Sequence, residues 1–274
     1  MKKINKSSAP LELQQYVALF PVEDPKHTWK DFCENVKAKH AVQRQLKADQ
    51  RGICAYCEIK LLDIPTDAGA ADGAGIKPDF RVDHFHPKKH NENTSNCWEL
   101  EWRNLFGVCA GGDERNVVDD TRFSEHKSDR HCDFRKKNNV YDGIILNPLN
   151  DVPAFPNLWK ISDKSNECEI YLQPDSEACT MQCPQCLSKA EKTLEILNLN
   201  CRKLAEFRAA ALSAIEEAIK EAESEGASNQ DAITSVMAAT FNTISPSWPP
   251  FFSTIRAQFG AYAERQLESI GYDG

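Results

Sequence analysis

The chain has 274 residues, 41% of them hydrophobic, with a net charge of −8 at pH 7 and a pI near 5.5. That is enough for one large domain or two modest ones with a real core, and no run of about 18 apolar residues offers a membrane span. The acidic balance argues against a generic nucleic-acid coat, which would be basic.

The opening Met1-Lys2-Lys3-Ile4-Asn5-Lys6 is basic, but no apolar signal core follows it, so the cytoplasm is the default location. There, the eleven cysteines read as thiols or metal ligands rather than disulfides. Residues 10–20 predict a short helix with a proline near its start. Thr28 is placed to cap a longer helix from Trp29 to about Gln50, carrying Phe32, Val36, Val42 and Leu46, and Gly52 ends it. Residues 63–79, rich in Asp, Gly, Ala and Pro, read as a surface loop, and 80–85 as a short strand. Residues 110–130 read as a polar insertion looping outward, and 144–159, with three prolines, as linker. A strongly helical stretch, 190–225, follows, broken or re-capped at Asn198 and Asn200. Two more helices, over 229–241 and 251–270, complete a mainly α, α+β architecture. The expected division is an N-terminal helical region (1–52), a central core (53–143) and a C-terminal helical region (144–274). The acidic C-terminal helices are the expected surface for a partner.

The chemistry concentrates in the centre. Cys54-Ala-Tyr-Cys57 has the spacing of a zinc knuckle. Cys109 is a third ligand candidate, but Gly112 stands where a tight second knuckle would place the fourth. Cys132, beyond the insertion, is taken as the replacement; the alternative is that Cys109 and Cys132 are ordinary buried thiols. Asp83 and His84 set a hard oxygen donor for Mg²⁺ or Mn²⁺ beside an imidazole that titrates near neutrality, the pair that metal-assisted phosphodiester hydrolysis needs. Side chains of adjacent strand residues point to opposite faces, so the chain must turn at His84 for both to reach one phosphate. Asn104 is expected to hold a loop in shape. Asp133 follows the proposed fourth thiolate as a second carboxylate, and Arg135, Lys136 and Lys137 lie where phosphate contacts would be useful. His86 and Lys88 are further candidates for nucleic-acid contact. A solvated surface is the plain alternative for these basic residues. Cys168, Cys179, Cys183 and Cys186 include a second CxxC without a close partner pair, and read as incidental thiols rather than a second zinc site.

In order, Cys54-x-x-Cys57, Asp83-His84-x-x-Pro87, Asn104-Leu105, Cys109 and Cys132-Asp133-x-x-Lys136 resemble the pattern of HNH nucleases of the ββα-metal class. The resemblance implies His84 as general base, Asp83 and Asp133 as ligands of the catalytic divalent ion, and Asn104 as the structure-fixing asparagine. Gln50-x-Gly52-x-Cys54-Ala55-Tyr56-Cys57-Glu58, Val82-Asp83-His84-Phe85-x-Pro87-Lys88 and the Leu-Glu-Ile-Leu-Asn-Leu-Asn run ending at Asn200 are similar to the PtuB-like subunits of Septu and retron-associated anti-phage systems. That family implies an ABC-type ATPase partner (PtuA-like) and a nuclease restrained until infection. The chemistry does not separate DNA, the favoured substrate, from structured RNA such as tRNA, and a non-catalytic zinc adaptor is the third reading.

Overall fold

The computed structural model describes residues 1–65, 76–88, 98–115 and 118–274. Helix α1 (Leu11–Leu19) starts directly after Pro10, whose fixed φ suits a helix entry. The expected single helix from Trp29 is two. Helix α2 (Trp29–Phe32) is capped by Thr28, whose hydroxyl accepts from the Asp31 amide at 3.0 Å. Helix α3 (Val36–Asp49) restarts at Asn35, whose side chain accepts from the Ala38 amide. An Asn favours this capping role over a helix interior, and the hydrophobic pattern running through it concealed the break. Leu13, Trp29, Phe32, Val42 and Leu46 bury against Leu100, Trp102 and Leu105. Gly52 has φ +76°, and a Cβ there would meet Ser247 Cβ at 2.6 Å, so the turn out of α3 requires glycine.

The segment 63–79 is not simply a loop. Strands β1 (Leu62–Pro65) and β2 (Ile76–Asp79) pair antiparallel, Leu62 opposite Asp79 and Pro65 opposite Ile76; the middle of that segment lies outside the described residues. Pro65 and Pro78 hid the strands, since proline is tolerated at the edge of so small a sheet. Strand β3 (Arg81–His84) pairs antiparallel with β4 (Leu105–Val108), placing Asp83 opposite Phe106 and His84 opposite Leu105.

Residues 110–130 were expected to bulge away, yet they fold back on the knuckle. The Ser124 amide bonds the Gly112 carbonyl and the His131 amide bonds the Gly111 carbonyl, each at 3.1 Å. Asp129 and Arg130 are buried by this return. Helix α4 (Asp133–Lys136) follows at once.

The stretch 144–159 is core rather than linker: Ile145, Leu146, Val152, Leu158 and Trp159 are buried. Its prolines shape turns within a packed segment. Strands β5 (Trp159–Ile161) and β6 (Leu172–Pro174) form a third hairpin, and α5 (Ser176–Gln182), α6 (Cys186–Ile196), α7 (Arg202–Ser224) and α8 (Asn229–Thr240) follow. The α6–α7 break falls at Asn198, with φ 50°, and Asn200. The expected last helix is cut at Gly260 into α9 (Phe252–Phe259) and α10 (Ala261–Ser269), because φ +45° there departs from a helix. The described architecture is thus a mixture of helices and irregular segments with three small antiparallel sheets. One apolar cluster runs from Tyr56, Phe85 and Phe106 through Leu158 and Trp159 to Leu197, Leu204 and Phe251, so the C-terminal elements pack directly on the central region. Glu58, just after the CxxC, accepts from both the amide and the hydroxyl of Ser253.

Candidate metal centre and active site

The sulfurs of Cys54, Cys57, Cys109 and Cys132 all lie within 4.8 Å of one another and all four residues are buried. Cys57 is 3.6 Å from Cys109, Cys109 is 3.8 Å from Cys132, and Cys54 is 3.9 Å from Cys132. Four thiolates at about 2.3 Å from one tetrahedral ion would stand about 3.8 Å apart, so this donor set fits a single structural metal. The Cys109 amide points at the Cys54 sulfur and the Gly111 amide at the Cys109 sulfur, both at 3.4 Å. Burial, then the neighbouring sulfurs, pushes the Cys132 thiol well above its ordinary value. Such a crowd of sulfurs ionises together only around a cation. The insertion between Cys109 and Cys132 closes on itself instead of separating them. Among the described residues no other group of three such ligand atoms converges: Cys168 is exposed, Cys183 is half-buried, and Cys179 and Cys186 are buried without a metal-sized cluster.

Alongside this cluster runs a cleft of about 380 Å³ whose walls include Arg81, Asp83, His84, Lys88, Asp133 and Lys137. Strand β3 ends at His84 and the chain bends at once, which is how two adjacent residues come to line one cleft. Asp83 Oδ2 accepts from the Tyr56 hydroxyl at 2.5 Å, and its Oδ1 is 3.3 Å from the Lys136 ammonium. Burial raises the Asp83 pKa, opposed by Lys136 and then by the Tyr56 hydrogen bond. Asp133 opens α4. Its Oδ1 is buried with no hydrogen-bond partner, while Oδ2 is 3.6 Å from the Arg81 guanidinium. Burial, followed by the charge of Asp83, pushes its carboxyl up to about 6. The two carboxylates thus disfavour each other's charge, with Lys136 beside Asp83 and Arg81 beside Asp133.

His84 Nε2 lies 2.8 Å from the Glu99 carbonyl oxygen. A carbonyl only accepts, so Nε2 carries the proton and Nδ1 keeps the lone pair. Burial lowers the imidazole pKa to about 3, and the ring stands edge-on to Trp29 at 5.3 Å. The imidazole is neutral at physiological pH. Asp83, His84 and Asp133 line the cleft together without bringing three ligand atoms within 4.8 Å of one another.

Asn104 is buried, accepts from the His86 amide at 2.7 Å and donates to the carbonyls of His86 and Trp98 at 2.9 and 2.8 Å. It holds the bend after His84. The His86 ring lies 4.5 Å from the Trp98 ring, and its Nδ1 is 2.8 Å from Asp142. Lys88 and Lys137 are exposed. Lys136 is the correction: expected on a phosphate-facing surface, it is fully buried and donates to the carbonyls of His84 at 2.8 Å and Phe85 at 3.3 Å. Three site residues escaped the sequence reading. Tyr56 sits inside the CxxC but was given no role, His131 places Nε2 3.6 Å from Cys109, and Arg81 faces Asp133. Only Arg81 carried a usable signal, since it shares a strand face with Asp83 two residues on.

A thiolate cluster braced against a cleft with paired carboxylates and a neutral imidazole is equipped for hydrolysing phosphodiesters. No family model matches the chain. Over 217 residues it is 30% identical to a protein of Escherichia coli assigned as the HNH endonuclease of retron Ec83, covering 74% of this chain and 76% of that relative. The chain belongs to the HNH endonuclease family: it is a nuclease, and its substrate is nucleic acid. No helix among the described residues is long and apolar enough to cross a membrane.

Proposed function

We propose that the protein is a divalent-metal-dependent HNH nuclease, with DNA the favoured substrate, and the effector subunit of a cytoplasmic anti-phage complex with a PtuA-like ABC-type ATPase. The observation that carries the catalytic part is Asp133 Oδ1, a buried and unpartnered carboxylate oxygen beside Asp83. A buried polar atom is rarely left without a partner unless a ligand supplies one. The β3–β4 hairpin followed by α4, with Asp133 as the first residue of that helix, supports a ββα-metal core within residues 53–143 flanked by 1–52 and 144–274. The retron relative and the PtuB-like motifs support the defence setting and the ATPase partner. The exposed acidic face of α7, with Glu216, Glu217 and Glu221, is the proposed docking surface for that partner.

In this reading Cys54, Cys57, Cys109 and Cys132 hold structural zinc, and Asp83 and Asp133 hold Mg²⁺ or Mn²⁺. The divalent ion supplies stabilisation of the charge that develops on the phosphate. His84 Nδ1 takes the proton from the attacking water, and the Glu99 carbonyl fixes the ring for that task. The imidazolium that forms is stabilised through Nε2–H on the same carbonyl. Asn104 keeps the His84–Lys88 bend in register, while His86, Lys88 and Lys137 meet the nucleic acid.

The test is digestion of plasmid, single-stranded DNA and tRNA side by side with Mg²⁺ or Mn²⁺. DNA cleavage by the unaltered chain and none by His84→Ala is the expected result. Cleavage of tRNA alone would reassign the substrate to RNA. Phage protection that survives His84→Ala, with the fold intact, would leave a zinc adaptor.

A further inference from the structure

We propose that residues 127–137, the end of the insertion before Cys132 and helix α4 after it, form a nucleic-acid-binding arm that carries the substrate backbone away from the cleavage site. The inference rests on the nuclease reading above and adds a surface to it. Next to the cleft of Asp83 and Asp133 lies a second one, of about 490 Å³, lined by Lys127, Arg130, Arg135 and Lys137 with Asp113 the one carboxylate. Phe134 and Lys137 line both clefts, so the two lie side by side. Four cations to one anion is the reverse of the balance of a chain with net charge −8.

The backbone beside Lys127 is pinned. Asn198, from the α6–α7 break, donates to the carbonyls of Ser128 and Arg130 at 2.7 and 2.8 Å. Arg130 is itself a brace: it donates to the Ser124 carbonyl at 2.7 Å, pairs with Asp113 at 3.3 Å, and lies against the rings of Phe123 and Phe134. That leaves Lys127, Arg135 and Lys137 exposed along the second cleft. Backbone fixed in place before binding leaves less to order when a phosphate arrives, and each phosphate neutralised releases counterions. A polyanion that begins at the carboxylate-lined cleft is the occupant this charge pattern selects. An acidic protein segment would have no reason to lie beside the cleavage site.

The test uses the full chain in a His84→Ala background, so that binding is read without cleavage. Affinity for a fluorescent oligonucleotide, duplex and single-stranded, is measured across a salt series. Lys127→Glu with Arg135→Glu is expected to weaken binding by roughly tenfold or more and to flatten the log–log salt slope by about two for duplex. Lys164→Glu with Lys220→Glu, exposed elsewhere, carries the same charge change and is expected to leave both nearly unchanged. Thermal unfolding confirms that all the chains fold. Equal affinity and slope in the two pairs overturns the arm, and so does a His84→Ala chain that binds neither oligonucleotide. Cleavage by the unaltered chain, lost in His84→Ala, is scored separately, so the nuclease reading can stand while the arm falls.

Discussion

The Tyr56 hydroxyl donates to Asp83 Oδ2 at 2.5 Å, so the turn between two clustered cysteines also holds a carboxylate of the cleft. The cysteine cluster and the cleft are thus joined by one short hydrogen bond. Tyr56→Phe removes it while keeping the buried ring. The bond favours the ionised carboxylate, so its loss raises the Asp83 pKa further. The acid limb of the pH–rate profile should move to higher pH with the melting temperature lowered only modestly, by the equivalent of about 1.5–3 kcal/mol. An unmoved acid limb would show that this bond does not tune the site.

Cys57→Ser should remove one equivalent of metal, because three thiolates no longer close the tetrahedron. Structural zinc binding is worth on the order of 10 kcal/mol, comparable with the whole stability of an ordinary domain. Elemental analysis and thermal unfolding check this, and an unchanged melting temperature would exclude a structural metal at these cysteines.

Asp133 sets a pH dependence. Its carboxyl rises from about 3.9 in an unfolded chain to about 6 in the fold, so the folded state holds the proton more tightly. Its stabilising contribution is full below about 4 and is lost as pH rises through about 6. In cation-free buffer the melting temperature of Asp133→Asn should therefore vary less over that window than that of the unaltered chain. A divalent ion competes with the same proton, so the acid limb of cleavage should shift downward as Mg²⁺ is raised. An acid limb indifferent to Mg²⁺ counts against Asp133 as a ligand.

Lys136→Met should destabilise the chain by about 3–5 kcal/mol, since it leaves the buried Asp83 charge without its ammonium and strands two carbonyls. Lys136→Arg should not restore stability, because a planar guanidinium does not reproduce a compact ammonium. Urea denaturation of both variants, with a loss below about 1 kcal/mol, would mean that the lysine is dispensable.

The sequence exposed what depends on local spacing and concealed what depends on packing. The CxxC, the adjacent Asp83 and His84, and the Asn198 break between α6 and α7 could all be read from neighbours in the chain. The separation of α2 from α3 could not, because the apolar pattern continues across the capping Asn35. Residues 144–159 look like linker by their prolines, yet Ile145, Leu146 and Trp159 are core; only the helices they pack against make them so. Lys136 shows the same limit within the site. One turn of helix away from Asp133 it reads as a solvated cation, and its burial is decided by the β3 carbonyls that fold over it.

The Cys132 amide bonds the Leu197 carbonyl at 2.9 Å, and Asn198 grips the two residues' worth of backbone just ahead of it. The elbow between two long C-terminal helices is therefore a handle on the fourth sulfur. A shift of that elbow would reach the Cys132 sulfur through one backbone hydrogen bond, and Asp133, the next residue, would travel with it.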